Sequence, residues 1–335
     1  MTVLVTGGGG FVGTEVCRQL TASGVGVRSF ARSHYPVLDA MGVEQVQADL
    51  ADPTAVRAAA AGCEAVFHVA ARAEMAGPAD LFHRVNVVGT RNVIAACRAQ
   101  GISKLIHTST PSVVHDGGHA SGLDESAPYA TKFLAHYPRT KAIAEQEVLA
   151  ANDATLATVA LRPHLVWGPG DPHFLPQLVA RSRSGELRLV GDGSSWVDSV
   201  FIEDAARAHV LAFERLAVGA PCAGRAYFIT QGEPLPMREL INALLAACGE
   251  PPVERSVPPA VAWFAGAVFE TLHAVLRKEG VPRMTRFVAR QLSTAHYFDI
   301  SAARRDLGYA PAYSMEQALA KLRAFWDAER AQGNR

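Results

Sequence analysis

The chain has 335 residues, 49% hydrophobic and 19% charged, which excludes a disordered polymer and supplies enough apolar material for one large core or two modest ones. Thirty-two Lys and Arg balance thirty-two Asp and Glu, so no basic excess exists to hold nucleic acid by counterion release. The five cysteines are scattered without a CxxC pair, which argues against a disulfide framework or zinc site and for a reducing, cytoplasmic setting. Val3–Val5 is a short β-branched run leading straight into glycines, with no signal peptide expected ahead of it, and Phe11–Leu20 reads as a helix. Strand, glycine turn and helix open a βαβ unit. Predicted strands follow at Val25–Phe30, Val43–Gln47, Ala65–Ala70, Lys104–Thr108 and Thr158–Arg162, with predicted helices at Pro53–Ala61, Val85–Gln100 and Thr140–Ala150. This alternation predicts an α/β fold with a doubly wound parallel sheet of the Rossmann type.

Beyond Arg162, Pro163, Pro169, Pro172 and Pro176 cluster with two glycines and mark a boundary. Residues 1–165 are expected to form the Rossmann domain, with 196–231 returning to it through strands at Val197–Ile202 and Ala226–Thr230. Residues 166–195 and 232–335 are expected to form a smaller, helix-rich C-terminal substrate domain, with helices at Met237–Ala247, Ala260–Leu276 and Met315–Trp326. The most apolar stretch, 257–276, begins with prolines and carries Glu270 and His273. It reads as a buried or substrate-facing helix rather than a span, with peripheral membrane contact as the alternative.

Gly7, Gly10 and Gly13 fit G-x-x-G-x-x-G directly after the first strand. At that place the chain must turn tightly, approach a pyrophosphate without a Cβ and offer helix N–H groups to the anion, which makes 1–165 a dinucleotide-binding domain. An NAD site carries an acid ~20 residues on, at the end of the second strand. Here Ala31 stands in that place and Arg32 follows. With no carboxylate to repel a 2′-phosphate and a guanidinium to pair with it, NADP(H) is expected over NAD(H).

Tyr137 and Lys141 stand four apart at the start of a predicted helix and share one face. An ammonium beside a phenol is expected to lower its pKa from ~10, tuning it to exchange a proton with a carbonyl or alcohol oxygen. Thr108-Ser109-Thr110 follows the fifth strand at the carboxyl end of the sheet, where a hydroxyl can bond a substrate carbonyl. His68 reads as structural at a strand end, and Asn86 as bonding backbone across the sheet. His107, His115, His119 and His164 show no metal-ligand spacing and receive no role, and no metal is expected.

The runs TGGGGFVG (6–13), Asp49-Leu50, HVAA (68–71), Asn86 with Gly89-Thr90, HTST (107–110), YPRTK (137–141) and RPHLVWGPGD (162–171) stand in an order that resembles the extended branch of the short-chain dehydrogenase/reductase family. The resemblance implies that Phe11 and Val12 join the glycines on the cofactor, that Asp49 and Leu50 flank the adenine, and that Ala70 and Ala71 line the pyrophosphate–ribose path. It places Pro163 near the nicotinamide, Lys141 on the nicotinamide ribose and Thr110 at the family's catalytic Ser/Thr. Within that branch, 107–118 and 298–309 look like the 3β-hydroxysteroid dehydrogenase group, while 141–171 and 232–249 are similar to bacterial reductases of long-chain olefin biosynthesis. The implied reaction is NADPH-dependent reduction of the 3-keto group of a fatty-acid-derived 2-alkyl-3-oxoalkanoate, a lipid-like small molecule. Trp263, Phe264, Val268, Phe269 and Leu272 are candidates to sheath alkyl chains, or else core residues, and 116–136 and 257–284 are expected to shape the substrate mouth. The expected assembly is a homodimer associated with other enzymes of the olefin pathway. A 3β-hydroxysteroid or 4-carboxysterol dehydrogenase is the first alternative. The second, a non-catalytic dinucleotide-sensing regulator, would need no Tyr/Lys pair.

Overall fold

Val3, Leu4 and Val5 are all fully buried, as only a strand covered on both faces allows. A computed structural model describes residues 1–74, 76–276, 282 and 284–333, so 277–281 and 283, within the expected substrate mouth, lie outside the described residues. The strands of the main sheet are β1 (Thr2–Thr6), β2 (Gly26–Ala31), β3 (Glu44–Gln47), β4 (Ala65–His68), β5 (Lys104–Thr108), β6 (Ala157–Pro163) and β7 (Arg225–Ile229). They form one parallel sheet in the order β7-β6-β5-β4-β1-β2-β3. Chain reversal between β1 and β4 opens a crevice at their carboxyl ends, the usual ligand site of such sheets.

The α-helices of eight residues or more among the described residues are α1 (Phe11–Ala22), α2 (Pro53–Ala60), α3 (Gly89–Gln100), α4 (His136–Ala150), α5 (Phe174–Arg183), α6 (Ile202–Arg215), α7 (Met237–Ala247), α8 (Pro259–Val275), α9 (Arg286–Ser293) and α10 (Met315–Ala331). Side chains alternate along β1, so Val3 and Val5 join a core with Val16 and Leu20 of α1 and Ala205 and Ala212 of α6. Leu4 faces the other way, into a core with Val56 of α2, Val93 of α3 and Val148 of α4. A third core gathers α5, α7 and α10 around Trp167, Leu244 and Trp326.

One expected strand is corrected. Val197–Ile202 does not return to the main sheet; only Arg225–Ile229 does. Trp196–Val197 instead joins Leu235–Pro236, His296–Phe298 and Ala120–Leu123 in a four-stranded sheet, and Val200–Phe201 pairs with Val166–Trp167. The break falls at buried Asp198, whose Oδ2 accepts from Phe298 N–H at 2.8 Å. Ile202 then opens α6, with Glu203 and Asp204 in its first turn complementing the helix dipole. The expected helix over Val85–Gln100 is α-helical only from Gly89, since His83–Val88 is wound as a π-helix.

Among the described residues no helix is long and apolar enough to cross a membrane. Helix α8 buries Ala262 against Val190 and Ala289. It lies close on the start of α9, where a Cβ on Gly266 would come within 2.7 Å of Arg286 N. Glu270 clamps that contact, pairing with the Arg286 guanidinium and accepting from its N–H, both at 2.7 Å. The opposite side exposes Val261, Phe264, Val268 and Leu272 at helical spacing, Phe264 by 66%.

Candidate active site

The glycine turn is built for close approach. Gly7 has φ +71, and a Cβ there would lie 2.8 Å from Ala70 Cα. A Cβ on Gly13 would lie 2.0 Å from Gly7 O, so neither position admits a side chain. Gly10 caps α1 without a side-chain bond, and the first turn carries no acid. The helix N–H groups are thus left to an outside anion, with Phe11 and Val12, both half-buried, opening the helix. These residues fit the pyrophosphate of a dinucleotide.

The turn is tied to the rest of the crevice by His68. Thr90 donates to Asn86 O at 2.6 Å, so its oxygen accepts from His68 Nε2–H at 2.9 Å. His68 Nδ1 then accepts from Thr6 at 2.8 Å, and Thr6 Oγ1 accepts from Ala70 N–H at 3.2 Å. Burial holds the ring neutral, its pKa down to about 3. Asn86 fixes the next stretch: its Oδ1 accepts from Arg72 N–H at 2.7 Å, and its Nδ2 donates to Arg72 O and to Thr140 Oγ1 on α4.

Asp49 lies in the turn after β3, where its carboxylate accepts from Ala51 N–H and pairs with Arg84 at 2.6 Å. Leu50 is buried against Gly89, at the start of α3. Ala71 and Arg32 are exposed, and among the described residues Arg32 has no hydrogen bond or ion pair. Tyr35 folds back over the turn, its ring filling the space a Cβ on Gly9 would take. Pro163 is buried at the end of β6.

Tyr137 and Lys141 lie on the first turns of α4, facing the end of β5. Lys141 Nζ donates to Thr108 O at 2.6 Å and pairs with His107 Nε2 at 3.2 Å. Thr110 follows in extended backbone, its Oγ1 accepting from Ser112 N–H. The expected lowering of the Tyr137 pKa is corrected: desolvation pushes the phenol up to about 12, with only a hydrogen bond from Thr110 acting against it. Lys141 does not offset the rise, because its Nζ is engaged by β5 and is itself desolvated, down to about 7.

Helix α4 is anchored by a buried network that no local motif announces. Glu145 takes Nε and Nη2 of Arg162 on β6, the shortest contact at 2.6 Å, and accepts from the Tyr129 hydroxyl at 2.7 Å. Thr108 Oγ1 donates to His209 Nε2 at 2.7 Å, since His209 Nδ1 must donate to Ala205 O. Beyond Pro163, His164 Nε2 meets His296 Nδ1 at 2.7 Å, and His296 Nε2 donates to Gln291 O. His107 and His164 thus have partners that spacing alone did not reveal; the signal was a polar residue inside or just after a buried strand. Among the described residues no cluster could hold a metal ion.

A parallel sheet with a glycine turn on its first strand and a Tyr/Lys helix beside its fifth defines an oxidoreductase of the extended short-chain dehydrogenase/reductase class. The chain belongs to the 3-beta hydroxysteroid dehydrogenase/isomerase family, which matches residues 4–258. It is 57% identical to the 2-alkyl-3-oxoalkanoate reductase of Stenotrophomonas maltophilia, over 97% of this chain and 99% of that one. It is 49% identical to the reductase of the same name from Shewanella oneidensis, over 96% and 85% of the two chains. Identity to the mouse decarboxylating sterol-4-alpha-carboxylate 3-dehydrogenase is 32%, over 94% and 88%. Among solved structures, the dTDP-glucose 4,6-dehydratase DesIV of Streptomyces venezuelae, a double mutant with NAD and DAU bound, superposes with TM-score 0.77 at 25% identity, over 99% and 98% of the two chains.

Proposed function

We propose that this oxidoreductase uses NADPH to reduce the 3-keto group of a 2-alkyl-3-oxoalkanoate to the 2-alkyl-3-hydroxyalkanoate, within olefin biosynthesis. The observation that carries the reading is the 57% identity, end to end, with a reductase of that name. In this reading Gly7, Gly10, Phe11, Val12 and Gly13 hold the pyrophosphate, Asp49 and Leu50 the adenine, and Arg32 the 2′-phosphate. Ala70 and Ala71 line the path, with Lys141 and Pro163 at the nicotinamide end. The bound dinucleotide supplies the hydride.

The chain's own residues manage the proton. Tyr137, raised to about 12, keeps its proton at neutral pH and can give it to an oxygen that becomes an alkoxide. The Thr110 hydroxyl stands beside it to hold the carbonyl oxygen in line. Lys141 places positive charge on the same helix face, where it favours negative charge developing on that oxygen. The exposed apolar residues Phe264, Val268 and Leu272 support a lipid-like substrate, and they are also the face through which 257–276 would meet a membrane surface.

The test is initial-rate turnover over 2-alkyl-3-oxo acids of increasing chain length, with NADPH and NADH in parallel. A buried CH₂ is worth ~0.8 kcal/mol, so kcat/KM should rise several-fold per methylene until the pocket is full, and NADPH should be preferred. Faster oxidation of 3β-hydroxysteroids would move the assignment to the sterol branch of the family. A preference for NADH would remove Arg32 from the site.

A further inference from the structure

His68 and His107 occupy matching positions on adjacent strands, paired in register across β4 and β5, with ring centroids 5.2 Å apart. Both are fully buried. Their bonding differs. Both nitrogens of His68 are satisfied, by Thr6 and Thr90, as expected of a structural core histidine. His107 Nδ1 has no hydrogen-bond partner among the described residues, and its Nε2 meets only Lys141 Nζ, at 3.2 Å. An orphaned buried ring nitrogen is unfavourable, so a purely structural role explains this arrangement poorly.

The bonding capacities narrow the alternatives. An ammonium has three donors and no acceptor. A charged Lys141 therefore needs His107 Nε2 as an acceptor, which puts the ring proton on Nδ1. We infer that His107 is a positioning residue for Lys141: its Nε2 and the neighbouring Thr108 carbonyl hold Nζ in its charged form at the end of β5. The inference rests on the reading of Tyr137 and Lys141 as the reactive pair.

The surrounding charges leave that task to His107. His68 on β4 and His209 on α6 face the same space, and burial keeps both neutral, at about 3 and about 4. Glu145, one turn along α4, attracts the ammonium but is already shared between Arg162 and Tyr129. Tyr137 keeps its proton to about 12. Lys141, lowered to about 7 by burial, is thus the group whose charge changes near neutral pH, and loss of an acceptor would lower it further.

The test compares kcat against pH for the wild type, His107→Leu and His107→Gln, using a 2-alkyl-3-oxo acid with NADPH, the direction in which Tyr137 gives its proton. Loss of a hydrogen bond to a charged group should move the alkaline limb of His107→Leu down by about one pH unit, or about tenfold in turnover on that limb. The acid end should stay near wild type. His107→Gln, whose amide oxygen can accept, should restore the profile. Equal loss at every pH, or a His107→Leu profile matching wild type, would overturn the inference. Should His107→Leu not fold, ¹⁵N-histidine spectra of the wild type, assigned through His107→Gln, decide: a neutral Nδ1–H ring supports the proposal and an Nε2–H ring refutes it. Lys141→Met separates the two levels. Undiminished turnover there would sink the Tyr/Lys reading itself, whereas lost turnover beside an unaffected His107→Leu would sink only the role of His107.

Discussion

The crevice around β1, β4 and β5 and the outer face of α8 treat water in opposite ways. In the crevice, charged and polar side chains are buried and held by directed bonds: Lys141 by Thr108 and His107, Glu145 by Arg162 and Tyr129, His68 by Thr6 and Thr90. On α8, large apolar side chains are left exposed, and the helix is tied down mainly through Ala262, Gly266 and Glu270. A reacting oxygen must be placed to a fraction of an ångström, which takes directional bonds on rigid elements. An alkyl chain needs only apolar area, since the hydrophobic effect has no direction.

If the crevice is where placement matters, single-atom deletions there should have the largest effects. Tyr137→Phe removes one oxygen from the proposed acid. Turnover should fall by ~10²–10⁴-fold, the usual span for a lost general acid, with dinucleotide binding nearly intact by fluorescence titration. Wild-type turnover would break the contrast at its strongest point.

Glu145→Ala probes the support beneath the site. It strands the Arg162 guanidinium in the core, 3% exposed and with one nitrogen already lacking a hydrogen-bond partner among the described residues. Breaking such a pair costs about 3–5 kcal/mol, read as a lower midpoint in denaturant. A change below about 1 kcal/mol would mean that water reaches Arg162 and that the crevice is wetter than its geometry implies.

The smallest effect is expected on the other side of the contrast. Phe264→Gln touches a side chain that is 66% exposed, so stability should stay within about 0.5 kcal/mol. Long-chain substrates should nevertheless lose kcat/KM while short ones do not. A clear loss of stability would show that α8 is packed rather than presented, and would close the gap between the two regions.

Most of the sheet was legible in the chain, because its signals are short-range. β-branched runs, a glycine turn and regular alternation with helices are local patterns, and all seven strands of the sheet coincide with predicted runs to within a few residues. The Tyr137 and Lys141 pair was visible for the same reason, since four residues apart on a helix means one face. The strand assigned to Val197–Ile202 failed where local pattern competes with context. Its apolar ends suit a strand, but Asp198 is claimed by Phe298, a hundred positions away, and the acidic pair after Ile202 favours a helix start.

Residue types, their spacing and the turn chemistry of the glycines were enough to determine the fold class and to single out the glycine turn and the Tyr137/Lys141 pair as candidates. The charge states and partners of those side chains were decided only in three dimensions. Whether Lys141 would lower the Tyr137 pKa depended on what covered both groups, and burial raised the phenol while strand β5 took the ammonium. His107 looked idle along the chain because its partner lies 34 residues away. Helix α8 read equally as a buried or a substrate-facing helix because apolarity is a property of residues, whereas exposure depends on which other surfaces arrive to cover them.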